Sequence, residues 1–60
     1  MTYKELEKLL KKNGCRFDHH AHRHDIWKSK SGKEFPVPRH GTQEVPPGTL
    51  NSIKRDAGLN

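Results

Sequence analysis

The sequence predicts an α+β fold in which two helices cover one face of a three-stranded antiparallel sheet, in the order α-β-β-β-α. Apolar residues recur at helical spacing near both ends of the chain. Between them lie three short stretches of strand-forming residues, separated by turn residues. A length of 60 residues predicts a single domain, residues 1–60, with a thin core and no room for a deep pocket.

The first helix is predicted over Thr2–Asn13. One apolar stripe along it is formed by Tyr3, Leu6, Leu9 and Leu10. Thr2 followed by Glu5 is the pattern of a capping box, in which each residue caps the other's backbone N–H. Gly14 comes next, as expected of a residue that ends a helix.

Two strands are predicted in the middle of the chain. Residues Cys15–Asp18 alternate between apolar and polar, which predicts a short strand with Cys15 and Phe17 facing the core. A tight turn near His19–Ala21 then leads to a second strand over His22–Ser29.

The third strand is predicted over Glu34–Pro38, after a hairpin turn in "SKSGK" (Ser29–Lys33). Phe35 and Val37 share one face of this strand. Its two prolines cannot donate hydrogen bonds to a neighbouring strand, which predicts a position at the edge of the sheet.

The second helix is predicted over Pro47–Asp56, and Gly58 ends it. Its apolar stripe is formed by Leu50, Ile53 and Ala57. Both helices have one apolar stripe, so we expect them to pack on the same side of the sheet and to leave the opposite face open to solvent.

The charge predicts an acidic partner. The chain has 12 Lys and Arg against 7 Asp and Glu, a net charge of +5 at pH 7. Such a domain is attracted to nucleic acid first, and to acidic protein or membrane surfaces second, although excess charge also serves solubility alone.

Cys15 is the only cysteine, which excludes an internal disulfide and a cysteine-rich zinc site. The absence of a signal peptide and of a membrane-spanning stretch predicts a cytoplasmic protein.

Four of the five histidines lie within "DHHAHRHDIW", Asp18–Trp27. They are either exposed residues without a role, or metal ligands, or acid–base groups. His22 and His24 have the i, i+2 spacing of a ligand pair on one strand face, but a third ligand is not apparent. An imidazole also exchanges protons at neutral pH, and RNA supplies its own nucleophile, the 2′-hydroxyl. RNA cleavage on such a surface requires neither metal nor cofactor.

His24 and Trp27 are three residues apart and so face opposite sides of a regular strand. This predicts that Trp27 plugs the core while His24 is exposed, with Ile26 exposed beside it. The alternative role of Trp27 is stacking on an RNA base.

Four segments, in order and at family length, resemble the HicA toxins, the ribonuclease partners of HicB antitoxins in type II toxin–antitoxin systems. They are "KELEKLLKKNGCRF", "RHDIW", "FPVPRHG" and "GTLNSIKRDAGL", of which the last is the most specific.

The resemblance implies a fold like that of a double-stranded-RNA-binding domain and ribosome-independent cleavage of mRNA. It also implies neutralisation by a HicB-like antitoxin. His24 matches the family's catalytic histidine. The family usually has a glycine and then a small or variable residue before that position, whereas this chain has His22 and Arg23.

On this hypothesis His24 is the general base on the 2′-hydroxyl, and His22, with His40 in reserve, is the second proton carrier. The candidates for contacting RNA are Arg23, Lys28, Arg39 and His40. For Lys28 and Arg23 the residues alone favour the role of ordinary solvated charges over a role in catalysis, because exposed strand residues are often basic. The rival functions are a non-catalytic RNA-binding module of the same fold and an interaction protein for an acidic partner.

Overall fold

The computed structural model of the chain describes residues 1–59. Its helices and strands are α1 Tyr3–Lys12, β1 Arg16–His20, β2 His24–Lys28, β3 Glu34–Pro38 and α2 Pro47–Ala57. The strands pair antiparallel in the order β1-β2-β3, which places β2 at the centre. The predicted α-β-β-β-α arrangement is confirmed, and it is consistent with the fold of a double-stranded-RNA-binding domain.

Helix α1 begins at the predicted capping box. The Thr2 hydroxyl accepts a hydrogen bond from the Glu5 backbone N–H at 3.2 Å, and the Glu5 carboxylate accepts one from the Thr2 N–H at 2.8 Å. These bonds hold the pKa of Glu5 below its ordinary value. The N–H of Tyr3 donates to the carbonyl of Gln43 at 3.0 Å, which joins the start of α1 to the loop before α2. Gly14 follows the helix with a φ of 87°, where a glycine is favoured.

The core lies between the sheet and both helices. Its buried members are Tyr3, Leu6, Leu10, Cys15, Trp27, Phe35, Val37, Val45, Ile53 and Ala57. Both helices contribute to this one cluster, so they pack on the same face of the sheet. The largest buried side chain is Trp27, which is 2% exposed. The prediction that Trp27 plugs the core is therefore confirmed.

Strand β1 differs from its prediction in which side chains are buried. Cys15 is buried as expected, but it precedes the strand. Phe17, predicted to lie in the core, is 41% exposed. It pairs with Trp27 and shares its face, with 6.3 Å between the ring centroids. Because β1 is an edge strand, the helices do not cover this part of the face.

The turn between β1 and β2 was also predicted too early. The register shifts between Phe17, which pairs with Trp27, and His19, which pairs with Ile26, so that Asp18 forms a bulge. Strand β1 therefore continues to His20, and the chain reverses at residues 21–23.

Strand β3 agrees with its prediction. Phe35 and Val37 are buried, and the strand lies at the edge of the sheet. In the preceding turn the N–H of Ser29 donates to the carbonyl of Lys33 at 2.8 Å.

Helix α2 begins and ends close to its predicted bounds. Gly58 follows it with a φ of 78°, and Leu59 packs back against the core. Within residues 1–59, neither helix has the length and apolar character needed to cross a bilayer.

Leu10 provides a test of the packing, because its side chain is 0% exposed in the core. We expect Leu10→Ala to lower the free energy of unfolding by about 2–5 kcal/mol, through lost burial and the cavity left behind. Urea denaturation monitored by Trp27 fluorescence measures it. The control is Leu9→Ala, a neighbouring leucine that is only partly buried. Equal losses for the two variants would contradict the assignment of Leu10 to the core.

Candidate active site

The sheet face opposite the helices is called the outer face. Trp27 points towards the helices, so the alternation along β2 places His24, Ile26 and Lys28 on the outer face. In the β2–β3 ladder His24 pairs with Pro38, and Ile26 pairs with Pro36. His24 and Ile26 lie on the face opposite Trp27, as predicted, but they are half-buried rather than exposed. The neighbours that shield His24 define a groove.

His24 lines a groove of about 400 Å³ between the outer face and α2. Pro36 and Pro38 of β3 form its other strand residues. Helix α2 contributes Gly48, Thr49, Ser52, Ile53 and Asp56. The sequence predicted that the outer face is open to solvent. One side of α2 borders it beside β3, so the face is partly covered.

The groove residues of α2 were not among the site residues predicted from the sequence. Thr49, Ser52 and Asp56 follow the spacing i, i+3, i+7, which brings them to one side of a helix. This polar stripe runs beside the apolar stripe of α2 and was readable from the sequence. Nothing in the sequence indicates that this stripe lies next to His24.

His22 and Arg23 lie in the turn between β1 and β2, and both are exposed. His22 is therefore not on a strand, and it does not share a strand face with His24 as the predicted spacing of a metal-ligand pair requires. Among residues 1–59, no three His, Cys, Asp or Glu side chains lie close enough together to hold a metal ion. Cys15 is buried in the core, and this burial raises the pKa of its thiol.

Arg39 holds this turn in place from the end of β3. Its guanidinium lies 3.4 Å from the Asp25 carboxylate and donates to the carbonyls of Ala21 and His22 at 3.3 and 3.4 Å. The same Asp25 oxygen is 2.6 Å from Nδ1 of His20. Arg39 was predicted only as a contact for RNA, and the structure shows that it also supports the segment leading to His24. A guanidinium has five N–H donors, so Arg39 can support the turn and still donate to a phosphate. Its contact with RNA stays a prediction.

His40 lies apart from this turn. Its ring packs edge-on against the ring of Tyr3, with 5.2 Å between centroids. Tyr3 belongs to α1, which covers the helix side of the sheet. The structure therefore brings His40 next to α1 and places His24 on the other face.

Lys28 occupies the far end of β2 on the outer face. Its Nζ is 3.9 Å from a carboxylate oxygen of Asp18, the residue of the β1 bulge. Asp18 also lies 2.6 Å from Nδ1 of His19, and this hydrogen bond is the main cause that lowers the pKa of Asp18. The Asp18 carboxylate thus stays ionised beside Lys28 at neutral pH.

One comparison with known proteins gives a match. A family model described as "HicA toxin of bacterial toxin-antitoxin" matches residues 3–59, nearly the whole chain. No curated protein and no solved structure is detectably similar to the chain.

The role of Arg39 in the turn is testable by amide hydrogen exchange. The N–H of Ala21 donates to the carbonyl of His24 at 2.9 Å and closes the turn. We expect Arg39→Ala to speed exchange of this amide several-fold and to lower the free energy of unfolding by about 1 kcal/mol, because charge-assisted bonds to the turn are lost.

The control is Arg23→Ala, which removes an exposed arginine from the turn itself. It should leave the exchange of Ala21 unchanged. Wild-type exchange in Arg39→Ala would show that the guanidinium does not stabilise the turn.

Proposed function

The chain belongs to the HicA toxin family, and we propose that it is the toxin of a type II toxin–antitoxin pair and cleaves mRNA without the ribosome and without a metal ion. The observation that carries this proposal is the position of His24. Its imidazole lies on the outer face, beside a groove of about 400 Å³, in a chain with a net charge of +5. A polyanion is attracted to such a surface, and the imidazole there is accessible to it.

The reaction we propose is an in-line transfer within the RNA. His24 accepts the proton of a 2′-hydroxyl, whose oxygen bonds to the adjacent phosphorus. The bond from phosphorus to the 5′-oxygen breaks, and a second acid gives that oxygen a proton. The products are a 2′,3′-cyclic phosphate and a 5′-hydroxyl. Because the nucleophile belongs to the substrate, proton transfer and charge stabilisation are all that the protein must supply.

We assign the second proton transfer to His22 rather than to His40. His22 is two residues from His24, and its backbone carbonyl is held by Arg39 in an exposed turn. His40 is packed against Tyr3 near α1. A proton carrier must come within hydrogen-bond reach of the leaving oxygen, which favours the histidine nearer to His24.

Phosphate contacts are proposed first for Arg23 and Lys28. Arg23 immediately precedes His24, and Lys28 shares the outer face with it. Cations at these positions would stabilise the charge that develops on the phosphoryl oxygens. Arg39 and His40 remain candidates for RNA farther along the strand, and Arg39 would then contact RNA while it supports the turn.

The partner we propose is an acidic HicB-like antitoxin that covers the outer face and thereby denies RNA access to His24. Half-buried Ile26 beside His24 offers such a protein an apolar contact. Residues 1–60 would act as one HicA-like domain in the cytoplasm, where mRNA is present.

The test of catalysis is the His24→Ala variant in EDTA. We expect wild-type protein to cleave single-stranded RNA under these conditions, and His24→Ala to be slower by about 10²–10⁴-fold because general acid–base catalysis is lost. The rate is measured on a labelled oligonucleotide.

The control is His19→Ala, which removes an exposed histidine on β1. It should cleave at close to the wild-type rate. Wild-type activity in His24→Ala would exclude His24 as the base. A wild-type protein that binds RNA without cleaving it would instead be a non-catalytic RNA-binding module.

The two candidate acids are separated by their pH–rate profiles. A general acid must be protonated, so the wild-type rate should fall as pH rises above the pKa of that acid. We expect His22→Ala to lower kcat by about 10²-fold and to remove this high-pH decline. His40→Ala should keep the decline. The opposite pattern in the two variants would assign the proton to His40.

A further inference from the structure

We infer that the groove beside His24 is a base-reading subsite, which takes a nucleobase carrying an amino group next to the bond that is cleaved. This inference deepens the proposed function and rests on it for the presence of RNA. The groove has the size and walls that suit a base, it lacks lysine and arginine, and it contains one glycine that the fold does not require.

The walls of the groove suit a flat ring. Pro36 and Pro38 belong to one strand and lie on the same face, so their apolar rings form neighbouring parts of one surface. Nucleobases outside a duplex are held by stacking against aromatic or apolar side chains. A volume of about 400 Å³ lies within the range of small-ligand sites.

The charge of the groove argues against a phosphate inside it. The chain has 12 lysines and arginines, yet none belongs to the groove's lining within residues 1–59. The lining includes Asp56, whose carboxylate already pairs with Nζ of Lys33 at 3.2 Å, so the groove offers a phosphate no unpaired lysine or arginine. The part of a nucleotide that enters is therefore the uncharged base, while its phosphates remain near the cations of the outer face.

Gly48 leaves space in the groove that neither the backbone nor the packing of the protein requires. It lies in the first turn of α2 and does not have the left-handed φ that favours glycine. A Cβ atom added to it would meet no atom within 4 Å. A ligand that approaches the backbone closely gives this glycine a purpose.

The polar groups of the groove select for an amino group. An ionised carboxylate only accepts hydrogen bonds, so Asp56 favours a base with N–H₂ donors. Its Oδ1 accepts a bond from Nζ of Lys33 at 3.2 Å, and a carboxylate accepts several bonds. Cytosine presents an amino group where uracil presents a carbonyl oxygen. The groove should therefore prefer cytosine to uracil, which has the same ring size.

The test is binding of short 2′-O-methyl oligocytidine and oligouridine of equal length, which lack the nucleophile and so are not cleaved. We expect wild-type protein to bind oligocytidine about tenfold more tightly than oligouridine, as expected for one base-specific hydrogen-bonded contact. In Asp56→Asn the preference should disappear, because an amide also donates to the uracil carbonyl. Fluorescence anisotropy measures both affinities.

The matched control is Lys33→Ala. It removes the same ion pair as Asp56→Asn but keeps the carboxylate, so the preference for cytosine should persist. A second pair compares Gly48→Leu, which fills the groove, with Asn51→Leu, which adds the same bulk at an exposed site of α2. Gly48→Leu should weaken oligocytidine binding several-fold, and Asn51→Leu should not. Circular dichroism checks that each variant is folded.

Equal wild-type affinity for the two oligonucleotides, or an unchanged preference in Asp56→Asn, would overturn the inference. The inference would also be overturned if Asp56→Asn lost affinity for the antitoxin and kept its preference for cytosine. The groove would then bind the protein partner and not a base. The cleavage assay distinguishes this from failure of the proposed function. A protein that prefers cytosine but does not cleave RNA would refute the proposed nuclease activity and support the subsite. A protein that cleaves RNA without a base preference would support the nuclease activity and refute the subsite.

Discussion

The burial of Trp27 determines which side chains of β2 reach solvent. Its ring packs between the sheet and the helices and is 2% exposed. Side chains alternate along a strand, so this burial directs His24 and Ile26 to the outer face. The indole Nε1 is buried without an acceptor among residues 1–59, which costs about 1–3 kcal/mol. Burying a ring of this size contributes at least as much in the opposite direction. One apolar side chain thus positions an imidazole on the other side of the sheet.

Most of the fold was predictable because its signals are local. The capping pair at Thr2 and Glu5, the apolar stripes, and the alternation of Phe35 with Val37 each involve residues close in sequence. Phe17 was misassigned because its exposure depends on how far the helices extend over β1. The turn was misplaced because the bulge at Asp18 is a property of the pairing between strands, and alternation within one strand does not reveal it.

For the candidate site, too, the local features were predictable and the long-range contacts were not. The faces of His24 and Trp27 follow from their spacing, and the resemblance pointed to His24 independently. The contacts of Arg39 with the β1–β2 turn connect residues far apart in sequence, so no local pattern predicts them. The polar stripe that ends at Asp56 was visible as a helical pattern. Its position beside His24 depends on how α2 crosses β3, which only the assembled structure shows.

The prolines of β3 have an effect beyond the site. A proline in a paired strand must lie where its missing N–H would point away from the neighbour. Pro36 and Pro38 therefore remove two backbone N–H donors from the unpaired edge of β3. Another molecule would otherwise add a strand along this edge. Such borders are where small sheet proteins polymerise into fibrils. A basic chain with a thin core is thus protected against self-aggregation along β3, and β1 is left as the only border of the sheet within residues 1–59 where an incoming strand could still pair.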